Sequence, residues 1–151
     1  TPSNSIYPIG MGTHFFAAFK ALQEMKEVGL IERMPKLIAV QSSHCSTVAK
    51  AYQRNMKQIP EIKNPKTIAS AISCGKPNYG ELALYALRKS KGRAVTVNDN
   101  DLRKAKEDLA EQGIYAEASG AATYAAAKKI KLRGETVIVI TGHGLKDTLV
   151  E

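Results

Sequence analysis

Two glycines near the start of the chain, Gly10 and Gly12, separate a short β-type run over residues 6–9 from a helical pattern. The helical pattern begins directly behind them with Thr13 and His14. Glycine adopts the left-handed backbone conformations that a tight turn needs, and the N–H groups at the start of a helix favour a bound anion. The stretch therefore predicts a cradle for a phosphate group. The alternative is a plain connection between strand and helix, in which the glycines serve steric purposes alone.

The elements on either side of this turn form a predicted β-α-β unit. Behind the turn, Phe15, Phe19 and Leu22 recur at helical spacing, and Gly29 is placed to end the helix in the left-handed conformation. A short apolar strand over residues 37–41 follows, of the kind that is buried in a parallel sheet. In many proteins a β-α-β unit of this kind binds a dinucleotide at the turn after its first strand.

The dinucleotide pattern fails at two positions. A Rossmann fingerprint has a third glycine where this chain has Phe15, and an acidic residue near the end of the second strand where this chain has Gln41. Both departures point away from NAD, and they leave a smaller phosphate ligand as the occupant of the turn.

Strands and helices alternate through the rest of the chain. We predict helices over residues 47–56, 81–90, 99–112 and 119–132, and strands over residues 94–97 and 135–141, the last of them buried. Asn98 is placed to cap the helix over residues 99–112, and Gly113 is placed to end it. This order predicts an α/β fold with a three-layer, open, mainly parallel sheet flanked by helices. Because ligands of such sheets lie outside the carboxyl ends of the strands, we expect the glycine turn and Thr141 to face one crevice.

Composition narrows the classes of function. The 151 residues carry a net charge of +8, but the basic residues are spread along the chain, and aromatic residues make up only 6% with no tryptophan. Nucleic-acid binding on a stacking groove is therefore not favoured. No apolar run approaches the length of a membrane span. The two cysteines form no disulfide framework and the three histidines no zinc pattern, so we expect a cytoplasmic protein without a structural metal.

The most specific motif is Ile140-Thr141-Gly142-His143-Gly144-Leu145-Lys146-Asp147. It resembles, almost letter for letter, the Leu-Thr-Gly-His-Gly-Leu-Lys-Asp ending of threonine synthases, which are pyridoxal-phosphate enzymes of fold type II (the tryptophan synthase β-like group). The resemblance extends through most of the chain. It includes Phe19-Lys20 with residues 26–31, Val40-Gln41 with Cys45, Thr67-Ile68-Ala69 with Ala71-Ile72, and Glu117-Ala118-Ser119 with Ala121-Ala122.

The resemblance implies a site for pyridoxal 5'-phosphate. It assigns the cofactor phosphate to the turn residues Gly10, Met11, Gly12, Thr13 and His14. It implies that the hydroxyl of Thr141 contacts the pyridine nitrogen, a neutral partner that leaves the ring largely unprotonated. The alternative for Thr141 is a strand-end residue that bonds the next turn. The reaction implied is that of a lyase on an amino-acid phosphoester in a homo-oligomer, converting O-phosphohomoserine and water to threonine and phosphate.

Two departures from the family limit what the resemblance implies. The family loop usually reads Gly-Asn-Gly-Gly-Asn, so a relative such as cysteate synthase, acting on O-phosphoserine and sulfite, remains an alternative. The Schiff-base lysine of a Ser-Phe-Lys-Asp-type motif, which lies before the loop in the family, is absent. We therefore expect residues 1–151 to be a single α/β domain that forms the C-terminal portion of the enzyme. It would hold no catalytic residue of its own and would pair with the remaining N-terminal half. A non-catalytic phosphate-binding module is the alternative from another class.

Overall fold

A parallel sheet forms the centre of the computed structural model, which describes residues 1–147. Its four strands lie in the spatial order β3-β2-β1-β4 and span β1 (Asn4–Pro8), β2 (Lys36–Ser42), β3 (Arg93–Val97) and β4 (Thr136–Ile138). The register places Ile38 of β2 between Ile6 of β1 and Arg93 of β3. Residues 148–151 of the predicted domain lie outside the described residues.

Helices cover both faces of the sheet, which confirms the predicted three-layer α/β fold. One face carries α1 (Thr13–Glu27), α2 (Thr47–Gln53) and α3 (Gly80–Lys89), and the other carries α4 (Asp99–Ala110) and α5 (Ala118–Lys129). The side chains of β2 alternate between the two cores, Leu37 and Ala39 on the α1 side and Ile38 and Val40 on the α5 side. None of the helices within residues 1–147 is both long enough and apolar enough to cross a membrane.

The ends of the helices follow local signals in the sequence. Gly29 and Gly113, just beyond α1 and α4, adopt φ angles of 77° and 78°, as the left-handed helix ends predicted for them require. At the start of α4 the Asn98 side chain accepts a hydrogen bond from the Asp101 N–H (2.9 Å), and the Asp101 carboxylate accepts one from the Asn98 N–H (2.8 Å). This reciprocal capping box fixes the start of α4 at the carboxyl end of β3.

The last strand differs from the prediction. β4 ends at Ile138, within residues 1–147 its only neighbour is β1, and Val137 is 47% exposed. The predicted parallel strand therefore forms, but it is shorter than residues 135–141, and the prediction that it is buried is wrong. A run of β-branched residues favours a strand at the centre or at the edge of a sheet equally, because burial depends on neighbours that the run does not specify.

Candidate functional site

A cavity of about 320 Å³ opens beyond the carboxyl end of β1. Its lining includes every residue predicted for the site: Gly10, Met11, Gly12, Thr13, His14 and Thr141. The turn after β1 and the segment after β4 thus face one crevice. Their strands are neighbours in the sheet, so their carboxyl ends meet at the same edge.

The glycine turn is held between two other segments of the chain. A β-carbon on Gly12, which has a φ of 89°, would lie 2.8 Å from the Tyr79 carbonyl oxygen, and one on Gly10 would lie 2.5 Å from the Ala71 carbonyl oxygen. The Tyr79 N–H also donates to the Met11 carbonyl oxygen (2.9 Å). Both glycines are therefore required by close backbone approach, and Gly12 is required by its conformation as well.

The N-terminus of α1 opens into the cavity without a side-chain cap from residues 1–147. The first bond of the helix runs from the Phe16 N–H to the Gly12 carbonyl oxygen (3.0 Å). The N–H groups of Thr13, His14 and Phe15 precede it and have no acceptor within the helix. These three donors and the positive end of the helix dipole suit an anion in the cavity.

The two polar side chains of the turn lie at the surface of the cavity. Thr13 and His14 are both exposed, and the His14 ring stands edge-on to the ring of Tyr7 with 5.3 Å between centroids. The Ser5 hydroxyl donates to the Tyr7 hydroxyl (3.1 Å), so the ring that His14 contacts is itself anchored. Either side chain can add a hydrogen bond to an anion that the backbone holds.

Three further polar residues line the cavity: Glu117, Ser119 and Lys146. Glu117 precedes α5 and is only 4% exposed, and its carboxylate lies 3.4 Å from the Lys146 Nζ. Sequence reasoning assigned these residues no role, although Glu117 and Ser119 belong to a stretch that resembles the family. The available signal was a polar residue directly before an alanine-rich helix, followed by a second one in its first turn.

Thr141 is brought to the cavity by close packing of its segment against α5. The Glu117 N–H donates to the Gly142 carbonyl oxygen (2.9 Å), and a β-carbon on Gly142 would lie 2.2 Å from the Glu117 Oε1. A β-carbon on Gly120 would approach the Thr141 nitrogen to 3.2 Å. Small residues on both sides therefore let the segment after β4 lie directly on the first turn of α5.

The described residues offer neither a metal centre nor an activated thiol. Within residues 1–147, no group of three or more His, Cys, Asp or Glu side chains is arranged to hold a metal ion. Burial raises the pKa of Cys45, and hydrogen bonds from Ser73 and the backbone offset this only in part. The Cys45 thiol therefore stays neutral and packs in the core.

Comparison with curated proteins identifies threonine synthases as relatives. The enzyme of Methanocaldococcus jannaschii is 34% identical over 97% of this chain, and that of Methanosarcina acetivorans is 35% identical over 97%. A chloroplastic threonine synthase of Arabidopsis thaliana is 30% identical over 97%. The chain spans 38% of the length of the two archaeal relatives and 30% of the plant one.

Solved structures share the fold. Serine racemase from maize superposes with a TM-score of 0.72 at 18% identity, covering 98% of this chain and 44% of its own. Threonine synthase from Escherichia coli superposes with a TM-score of 0.74 at 20% identity, covering 94% of this chain and 33% of its own. At these identities the likeness concerns the arrangement of sheet and helices.

Family membership follows from the extent of the sequence match. The sequence model of the pyridoxal-phosphate dependent enzyme family matches residues 1–142, a range that includes the glycine turn, α5 and Thr141. They cover nearly all of the described chain. The chain belongs to the family of pyridoxal-phosphate dependent enzymes.

Proposed function

We propose that this chain is the C-terminal portion of a threonine synthase-like enzyme and supplies one side of its pyridoxal 5'-phosphate site. In this proposal residues 10–14 hold the cofactor phosphate, and Thr141 contacts the pyridine nitrogen. The intact enzyme acts on O-phosphohomoserine and water and releases threonine and phosphate. The threonine synthases among its relatives support this choice of substrate.

One observation carries the proposal: the uncapped N-terminus of α1 and Thr141 line the same cavity. A phosphate needs several converging donors, and the N–H groups of Thr13, His14 and Phe15 provide them. An aromatic ring nitrogen needs one hydrogen-bonding partner at some distance from that phosphate, and the hydroxyl of Thr141 is suited to it. The cavity thus offers the two kinds of contact that the two ends of the cofactor require.

The close packing around the turn fits a cofactor whose phosphate approaches the backbone. Because Gly10 and Gly12 lack side chains, the backbone of Ala71 and Tyr79 packs directly against the turn, and the Tyr79 N–H bonds to it. Donors fixed in advance bind an anion without the cost of ordering a loop. The departures from the family loop at Met11, Thr13 and His14 leave this arrangement intact, because backbone groups supply the donors.

When bound, the cofactor supplies an electron sink for charge that develops at the substrate α-carbon. The residues of this chain would orient it. Thr141 is neutral and does not hold the pyridine nitrogen as a charged pyridinium, in contrast to a carboxylate at that place. Ile72 and Phe15 are apolar lining residues that limit the access of water to the inner wall of the cavity.

The lysine that binds the cofactor would come from outside this chain. Lys146 is the lysine that lines the cavity, but its side chain is 68% exposed and pairs with the Glu117 carboxylate. The Lys146 amine is thus engaged in an ion pair and lies largely in solvent. We therefore assign Lys146 a role other than cofactor attachment and place the Schiff-base lysine in the N-terminal half.

Assay of the intact protein tests the proposal. With pyridoxal 5'-phosphate and O-phosphohomoserine, we expect the protein to release equal amounts of threonine and inorganic phosphate. Amino-acid analysis measures the threonine, and a phosphate assay measures the phosphate. Turnover of O-phosphoserine and sulfite alone would instead assign the cysteate synthase reaction. The absence of any turnover, together with phosphate binding at the turn, would assign a non-catalytic phosphate-binding module.

Absorbance spectroscopy tests the placement of the lysine separately. The 151-residue chain mixed with pyridoxal 5'-phosphate should show no Schiff-base band beyond that of a lysine-rich control protein. The intact protein should show one, and borohydride reduction followed by peptide mapping should place it outside this chain. A reduced adduct on Lys146 would contradict the assignment.

A further inference from the structure

Two ion pairs fasten the segment after Thr141, one to α4 and one to the residue that precedes α5. The Lys146 Nζ lies 3.4 Å from the Glu117 carboxylate, and the Lys106 Nζ lies 2.5 Å from the Asp147 Oδ2. The same Asp147 oxygen accepts a hydrogen bond from the Ala118 N–H (3.0 Å), the first residue of α5. Lys146 thus contacts the residue before α5, and its neighbour Asp147 contacts the first residue of α5.

These pairs differ from ordinary surface pairs in the burial of their carboxylates. The Glu117 side chain is 5% exposed and that of Asp147 is 19% exposed. A buried carboxylate that loses its cation keeps the cost of its desolvation. Asp147 also lies at the N-terminus of α5, where a negative charge is favoured by the helix dipole. Both pairs therefore have a stronger hold on the segment than exposed pairs have.

Backbone bonds fix the part of the segment between Thr141 and the two charged residues. The Gly142 carbonyl oxygen accepts from the Glu117 N–H (2.9 Å), and the Gly144 N–H donates to the Tyr115 carbonyl oxygen (2.8 Å). His143 forms an isolated antiparallel bridge with Ala116. Thr141 itself is exposed to the cavity and lies at the end of this fastened stretch.

We propose that Lys146 and Asp147 are positioning residues for Thr141. Each of them contacts a residue at the start of α5. Together they hold residues 141–147 so that the hydroxyl of Thr141 keeps one position in the cavity. The first step, the fastening of the segment, stands on the contacts alone. The second step, the positioning of Thr141 for the cofactor, rests on the proposed function, in which Thr141 contacts the pyridine nitrogen.

Hydrogen exchange of the intact protein without cofactor tests the first step. Lys146→Met and Asp147→Asn should each raise amide exchange across residues 141–147 by at least about fivefold, which is the upper end of the effect of losing an exposed pair. Asp147→Asn keeps an oxygen for the Ala118 N–H and so removes mainly the charge. Lys128→Met is the matched control, because it breaks the Lys128–Asp108 pair, which joins α4 and α5 away from the cavity. Unchanged exchange in both test variants would overturn the proposal.

Cofactor affinity of the intact protein tests the second step. Lys146→Met should raise the dissociation constant for pyridoxal 5'-phosphate by about fivefold, Lys146→Arg should restore it, and Lys128→Met should leave it unchanged. Thr141→Val serves as the reference. If Thr141→Val weakens affinity but neither Lys146→Met nor Asp147→Asn does, the positioning role is wrong. If Thr141→Val has no effect, the proposed contact of Thr141 fails, whereas hydrogen exchange still decides whether the segment is fastened.

Discussion

Backbone groups and one hydroxyl carry most of the chemistry that we assign to this chain. Anion binding at the turn uses N–H groups, so the side chains of Met11, Thr13 and His14 are free to differ from those of the family. No backbone group can replace the hydroxyl of Thr141, because a ring nitrogen needs a side chain that reaches it. Substitutions at the two places should therefore differ in effect.

Thr141→Val removes the hydroxyl and keeps the shape of the side chain. In the intact protein we expect the affinity for pyridoxal 5'-phosphate to fall by about 1 kcal/mol, the usual net value of one hydrogen bond. Equilibrium dialysis measures the change. Thr141→Ser retains the hydroxyl and is expected to bind the cofactor as the parent does; equal affinity of the Val and Ser variants would exclude a hydrogen bond at this position.

Asp101 makes the stability of the chain depend on pH. Burial opposes the charge of its carboxyl, but the hydrogen bonds from Lys129 and from the Asn98 N–H outweigh burial and hold the pKa of Asp101 below its usual 3.8. Because the folded chain binds this proton more weakly than the unfolded chain, the stabilisation is fully present above the usual pKa. It is lost as the pH falls through the lower pKa of the folded state.

Asp101→Asn should therefore cost about 1 kcal/mol of unfolding free energy at neutral pH, because it removes a negative charge from the first turn of α4 and the ion pair with Lys129. Urea unfolding at a series of pH values measures the difference between variant and parent. We expect the difference to shrink below the usual pKa of 3.8. Lys129→Met, which removes one of the two partners, should weaken the same pH dependence. A difference that is constant down to the acid limit would contradict this account.

At the scale of elements, the turn after β1 depends on glycine in a way that can be measured. Gly12 and Gly29 have similar positive φ angles, 89° and 77°, but a β-carbon on Gly12 meets the Tyr79 carbonyl at 2.8 Å whereas one on Gly29 meets nothing within 4 Å. The two positions therefore share the cost of a left-handed conformation and differ in packing.

Gly29→Ala should cost about 1 kcal/mol, the penalty of the left-handed conformation. Gly12→Ala should cost about 3 kcal/mol, because the collision with Tyr79 is added to the same penalty. Chemical unfolding of the two variants and the parent gives both values. In the intact protein, Gly12→Ala should also weaken binding of the cofactor and Gly29→Ala should not. Equal costs at the two positions would mean that the turn yields without strain.

The elements that the sequence predicts well are those fixed by local signals. The helix start after Gly12, the cap at Asn98 and the helix ends at Gly29 and Gly113 each depend on residues close in sequence, and each is found where it was predicted. The six predicted site residues also lie on one cavity, since parallel strands bring their carboxyl ends to the same edge.

The features that escaped prediction depend on contacts between distant residues. Glu117 enters the site because it packs on Gly142, and the spacing of these residues in the sequence does not indicate that contact. The exposure of Val137 depends on which strand, if any, lies beyond β4. The residue pattern within a single helix or strand therefore predicts neither the Glu117–Gly142 contact nor the exposure of Val137.

At the scale of the whole molecule, the outer edge of β4 is open in the described part of the chain and carries an exposed apolar side chain. Within residues 1–147 no strand pairs with this edge, and Val137 is 47% exposed on it. An open edge strand with an exposed apolar side chain pairs readily with another chain. The proposed N-terminal half would cover this edge, and the chain produced without it would expose the edge to other copies.

We therefore expect the 151-residue chain alone to self-associate in a concentration-dependent manner through β4. Val137→Lys places a charge on the edge and should shift the population to monomer, as lysine on natural edge strands does. Leu82→Lys is the matched control, because Leu82 is 41% exposed on α3 and its replacement adds the same charge away from the sheet. Sedimentation velocity over a range of concentrations measures the association. Equal association of the two variants would place the contact elsewhere, and a parent chain that stays monomeric at high concentration would show that the edge of β4 does not pair with other copies.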